Sequence, residues 1–162
     1  MRKYGLAGSM IVLLLAGLLG QAAAAPAPGF DFDPVKLEWR MDSCISYQAS
    51  ESEILMGWMS FRDGRRRDWR CSSLRHMMFD LDHRDNFQRH DPYVNIPDFI
   101  RCVDELVSYG FPRPGDPGNT KLMKNYNGTS DQAIVVVNNV TGDIVTVYTT
   151  RGNDWSGCAN AL

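Results

Sequence analysis

The histidines of this chain, His76, His83 and His90, follow one another at intervals of seven residues. Imidazole exchanges a proton near neutral pH more readily than any other side chain, so they suggest a general acid or base. Seven residues return to nearly the same side of an α-helix, drifting by about 20° per step. On a continuous helix the three therefore form a stripe, with Asp80 and Phe87 between them. A metal reading would use two of them with Asp80 or Asp82, but rings seven apart stand about 10 Å from each other, and helical ligand pairs are usually spaced by three or four. The plain alternative is three surface histidines on a solvated face.

A cationic group follows the same pattern of competing readings. Arg62, Arg65, Arg66, Arg67 and Arg70 surround Trp69. Arginine forks hold phosphate oxygens in pairs and an indole face stacks on a base, so the group could bind RNA or single-stranded nucleic acid. Asp63 and Asp68 dilute it, and a solvated turn is the simpler account. In an exported chain Arg65-Arg66-Arg67 could also be a processing site. Lys121 and Lys124 are the only lysines after Lys36; on a sheet face they could stabilise a phosphorane, and in a loop they would be solvated. Thr146 and Tyr148, two apart on one strand face, can both donate to a phosphate oxygen, although both are also ordinary strand formers. Serine-hydrolase, zincin, P-loop and dinucleotide motifs are absent from the sequence. Asn127-Gly-Thr129 and Asn139-Val-Thr141 match the N-glycosylation acceptor.

These residues need elements to position them. Residues 26–36, rich in Pro, Ala and Asp, read as an irregular lead-in. Ser50 with Glu53 reads as a capping box for a helix through Ile54, Leu55, Trp58, Met59 and Phe61, ending near Asp63-Gly64. A second helix from Ser72 or Ser73 carries Leu74, Met77, Met78 and Leu81 and stops before Asp91-Pro92. A third runs from Asn95 to Gly110, with Cys102 at the margin of its apolar face. After the turn-rich stretch 111–119 comes a short strand at 122–126. Then Ala133–Asn138 and Asp143–Thr149 form a hairpin, with Ile144, Thr146, Tyr148 and Thr150 on one face and Val145, Val147 and Thr149 on the other. The tail from Arg151 reads as irregular and held by Cys158. Helices first and sheet afterwards make the class α+β, with N-terminal helices packed on a C-terminal antiparallel sheet.

The N-terminus has the three parts of a secretory signal peptide: Arg2 and Lys3, the apolar run Met10–Leu19, and the small residues Ala22–Ala25. The apolar run is shorter than the roughly 20 residues that span a bilayer. We expect residues 1–25 to be the signal and 26–162 a single secreted domain, free of membrane after signal removal and monomeric. Without Arg2 and Lys3 the chain has 15 basic and 19 acidic side chains, net −4. That excludes broad attraction to polyanions and leaves only a local patch. Cys44, Cys71, Cys102 and Cys158 would form two disulfides in an oxidising compartment, with three pairings open. A zinc site is disfavoured, because no C-x-x-C pair occurs.

The histidine-bearing helix, the helix ending at Gly110, Lys124, and the segment Ile134-Val-Val-Val-Asn-Asn-Val-Thr-Gly-Asp-Ile-Val-Thr-Val-Tyr148 together resemble the barnase, EndoU, colicin and RelE superfamily of metal-independent ribonuclease toxin domains. The resemblance covers residues 74–150 and leaves 26–73 and the four cysteines unexplained. It implies helices on a four-stranded antiparallel sheet, and RNA cleaved by its own 2′-hydroxyl without a metal or other cofactor. His83, then His76, would be acid or base; Arg84 and Lys124 would hold the phosphate, and Thr146 and Tyr148 would donate to it. The expected function is a secreted endoribonuclease of toxin or effector type, with RNA as substrate and a cognate inhibitor or host protein as partner. The alternatives are a non-catalytic secreted binding or inhibitor domain and a metal-dependent hydrolase built on the histidines.

Overall fold

The structure, a computed structural model, describes residues 32–79 and 90–160. Helix α1 (Pro34–Ile45) begins where an irregular lead-in was expected. Asp33 caps it by accepting from the N–H groups of Val35 and Lys36, and Pro34 sits in the first turn, where a missing N–H costs nothing. Leu37, Met41 and Cys44, at helical spacing, are its buried face.

The helix expected from Ser50 is instead strand β1 (Ile54–Met59), paired antiparallel with β2 (Arg66–Arg70). Ser50 and Glu53 close a turn rather than cap a helix, the Glu53 N–H donating to the Ser50 carbonyl at 3.1 Å. Gly57 favours the strand. Glycine inside a helix is about 1 kcal/mol worse than alanine, and a Cβ at Gly57 would lie only 2.6 Å from Asp68 Oδ1 on β2. The arginine group is thus mostly strand, not turn.

Helix α2 (Cys71–Phe79) follows β2 directly, close to the expected start, and buries Leu74 and Met77. Its expected extension towards Asp91 falls on residues outside those described. Helix α3 (Ile96–Tyr109) matches expectation at both ends: Asn95 accepts from the Asp98 N–H, and the Gly110 N–H donates to the Leu106 carbonyl. Cys102, expected at the margin of its apolar face, is fully buried. Strands β3 (Phe111–Pro114), β4 (Asn119–Asn125), β5 (Gln132–Asn138) and β6 (Ile144–Thr149) then form an antiparallel meander. Helix α4 (Trp155–Ala159), capped by Asp154, replaces the expected irregular tail.

The sheet order is β1-β2-β6-β5-β4-β3, antiparallel except for the parallel contact of β2 with β6. This is an α+β fold with a mixed six-stranded sheet. Between β5 and β6 the register shifts, so that Val136 pairs with Thr146 but Val137 with Ile144. The bulge turns Ile144 away from Thr146 and onto the helix-side face with Val147, correcting the simple alternation. Ala133, Val135, Val137 and Leu122 complete that face, and α3 touches β1 as well as β4 and β5, so the sheet curls around it. Trp69 of β2 meets Phe99 of α3 at a tilt of 49° and 5.0 Å, and Phe99 meets Trp155 of α4 edge-on at 5.0 Å.

The disulfides are Cys44–Cys71, joining the end of α1 to the start of α2, and Cys102–Cys158, joining α3 to α4. They close loops of 27 and 56 residues, contributing about 3.5 and 4 kcal/mol in the chain-entropy picture. The double replacement Cys102→Ala/Cys158→Ala should therefore lower the unfolding free energy by about 4 kcal/mol, against about 3.5 for Cys44→Ala/Cys71→Ala, as read by urea titration.

Candidate functional site

The residues expected to share one catalytic site are divided by the sheet. Lys124 on β4 lies opposite Ala133, on the helix-side face, and pairs with Glu105 of α3 at 3.1 Å. Thr146 and Tyr148 lie opposite Val136 and Ile134, on the other face. A cation and hydroxyls on opposite faces cannot hold one phosphate. His76 is half-buried on α2, and His83 and Arg84 lie outside the described residues. The histidine found beside Tyr148 is His90, with ring centroids 5.6 Å apart. Lys121 and Arg113, rather than Lys124, share the face of Thr146, through the register Arg113–Lys121–Val136–Thr146. Thr146 is only 5 % exposed, however, so its hydroxyl is withheld from a polymer. Among the described residues, no group of His, Cys, Asp and Glu is placed to hold a metal ion.

A concave site lies elsewhere, at the open end of the curled sheet. The β1–β2 turn approaches β3, β4 and the β5–β6 turn around a cavity of about 160 Å³. Arg62, Asp63, Arg65 and Arg67 line it with Thr120 and Asn139. Three arginines therefore line it together with one aspartate.

Arg67 is the unusual member. It alternates inward on β2 opposite Trp58 and is 5 % exposed. Its Nη2 donates to Asp63 Oδ2 at 2.5 Å, while its Nε–H is buried with no hydrogen-bond partner among the described residues. A buried donor without an acceptor typically costs about 1–3 kcal/mol, so this group is strongly predisposed to accept one. Arg65 reaches across to the β5–β6 turn, donating to the carbonyls of Asn139 (3.3 Å) and Val140 (3.2 Å). Arg62 is exposed beside them.

The turns are shaped for this approach. Gly142 has φ 82°, and a Cβ there would stand 2.9 Å from the Arg66 carbonyl and 3.3 Å from Arg67 Nη1. Asp63 has its Oδ1 on the Arg65 N–H at 3.0 Å. Burial pulls the Asp63 pKa upward, but the hydrogen bonds from the Arg65 N–H and the Ser60 hydroxyl, with the charges of Arg67 and Arg65, outweigh it and hold the carboxyl below its usual range. The arginine run itself is visible in the sequence; Ser60, Thr120 and Asn139 are not, because only the sheet's curl brings them to it.

Two outcomes follow. A carboxylate with a depressed pKa contributes stability above its unfolded value, near 4, and loses that contribution as pH falls through the folded value. Asp63→Asn should therefore melt below wild type at pH 7, with the gap closing in thermal scans below about pH 4. Gly142→Ala should cost more than about 1 kcal/mol, because alanine resists a positive φ and its methyl group crowds Arg66 and Arg67. The chain matches no protein-family model, no curated protein and no solved structure, so its function has to be read from this geometry.

Proposed function

We propose that this is a binding domain for a small oxyanion-bearing ligand, held in the arginine-lined cavity. The observation that carries the reading is Arg67: a charged side chain, 5 % exposed, with a buried Nε–H that has no partner among the described residues, on a residue that lines a cavity two further arginines share. Low-dielectric surroundings strengthen each hydrogen bond to such a donor. The N-terminal segment, the two disulfides and the net negative charge fit a secreted domain, in which anions are attracted at this patch and not over the surface at large.

A second reading keeps the ribonuclease. It is supported by α3 followed by the four-stranded meander β3 to β6, and by His90 against Tyr148 on the face that Thr146, Lys121 and Arg113 share. The burial of Thr146 and the engagement of Lys124 with Glu105 on the opposite face place it second.

Titration calorimetry with inorganic phosphate separates the readings. Phosphate should bind saturably to the oxidised protein, and Arg67→Met should weaken it about tenfold or more, the usual worth of a charge-assisted hydrogen bond. Arg62→Ala, at an exposed position, should weaken binding without moving the melting temperature. RNA incubated with the protein and EDTA should stay intact. Fragments with cyclic phosphate ends, lost in His90→Ala, would move the function to the other face of the sheet.

A further inference from the structure

The hydrogen-bonding of Arg67 specifies more than charge. A guanidinium presents its Nε–H and the neighbouring Nη2–H along one edge, spaced to receive two oxygens of a single carboxylate or phosphate. On Arg67 that edge is half filled: Asp63 Oδ2 takes Nη2 at 2.5 Å, and Nε has no partner among the described residues. Asp63 does not complete the edge, because its other oxygen accepts from the Arg65 backbone N–H at 3.0 Å. Its carboxylate is shared between a turn and the arginine.

We infer that Asp63 is an internal competitor, which a ligand's phosphate group displaces from Nη2 to occupy the whole Nε/Nη2 edge of Arg67. The inference rests on the oxyanion-binding reading and adds the ligand class and the means of selection. The Asp63 side chain is 38 % exposed and that of Arg67 only 7 %, so the carboxylate is the partner with room to leave. It can swing outward while the turn persists, since the Ser60 N–H donates to the Arg65 carbonyl at 2.9 Å and the Gly64 N–H to the Ser60 carbonyl at 2.9 Å, independently of the side chain. Gly64, at φ 65°, supplies the sharp bend. With Asp63 displaced, Arg62, Arg65 and Arg67 remain among the cavity's lining residues with no other carboxylate there. Three positive charges favour a dianionic tetrahedral group, a phosphate monoester or inorganic phosphate, over a carboxylate, which only replaces one monoanion with another.

The test compares wild type, Asp63→Asn and Asp63→Ala with inorganic phosphate, phenyl phosphate and acetate, by calorimetry at pH 7.5 and by the NMR signal of the Arg67 Nε–H. Asparagine keeps an oxygen for the Arg65 N–H but removes the competing charge, so it guards against loss of the turn. Phosphate should bind at least about fivefold tighter to both variants than to wild type, acetate should bind weakest throughout, and the Nε–H signal should shift on phosphate addition. Equal phosphate affinity in wild type and both variants would overturn the role of Asp63 while leaving the anion site intact. Acetate binding as tightly as phosphate would overturn the dianion class. No binding to any of the three proteins would overturn the anion site and this inference together.

Discussion

The parallel contact between β2 and β6, registered at Trp69 and Ile144, joins the β1–β2 hairpin to the meander in one sheet. On one side stand a hairpin and the helices α1 and α2; on the other, the helices α3 and α4 and a four-stranded meander. Trp69 makes the join a core contact as well as a ladder contact, since its ring meets Phe99, which in turn meets Trp155. Arg70 adds an ion pair to Asp143 at 3.0 Å at the same seam. The arginine cavity depends on this seam. Arg62, Arg65 and Arg67 come from one side, and Asn139 and Gly142 from the other.

The two faces of the sheet have different physical characters. The helix-side face is apolar for most of its length; apart from the Lys124–Glu105 pair, it becomes polar at its open end, where the cavity lies. A charge buried at such an edge keeps partial access to water, which makes Arg67 tolerable in a way that it would not be near Phe99. The chain carries a net charge of −2 as written, so the three arginines are a local exception created by strand alternation and turn geometry rather than by composition.

Features governed by local rules were legible in the sequence. The third helix carried both its start and its stop, the hairpin carried its two arms and its turn, and the cysteines announced disulfides. Two kinds of information were not local. The segment from Ser50 to Met59 satisfies a helical capping pattern, and only the fit of Gly57 under Asp68 and the pairing with β2 override it. The pairing of Thr146 with Val136 but Ile144 with Val137 depends on a bulge that no residue type in the strand requires. The candidate site shows the same division. The arginines stand out by composition, but which of them is buried follows from β2 facing inward at Arg67, and what meets it follows from a contact between turns some 75 residues apart in sequence. Lys124 and Thr146 stand on opposite faces for a related reason: Lys121, which shares the face of Thr146, and Lys124 differ by an odd number of strand positions, and that parity separates them.

The two disulfides have a topological property beyond their contribution to stability. Cys44–Cys71 and Cys102–Cys158 close loops that neither overlap nor interlock. Only the peptide chain from Cys71 to Cys102 connects one loop covalently to the other. A single cleavage in that stretch would leave two fragments that remain associated by packing around Trp69 in the native state but separate in denaturant, even without a reductant. The covalent cross-links protect each half of the molecule, and the union of the halves, on which the arginine cavity rests, is left to non-covalent contacts: the core, the β2–β6 seam and the polar contacts beside it.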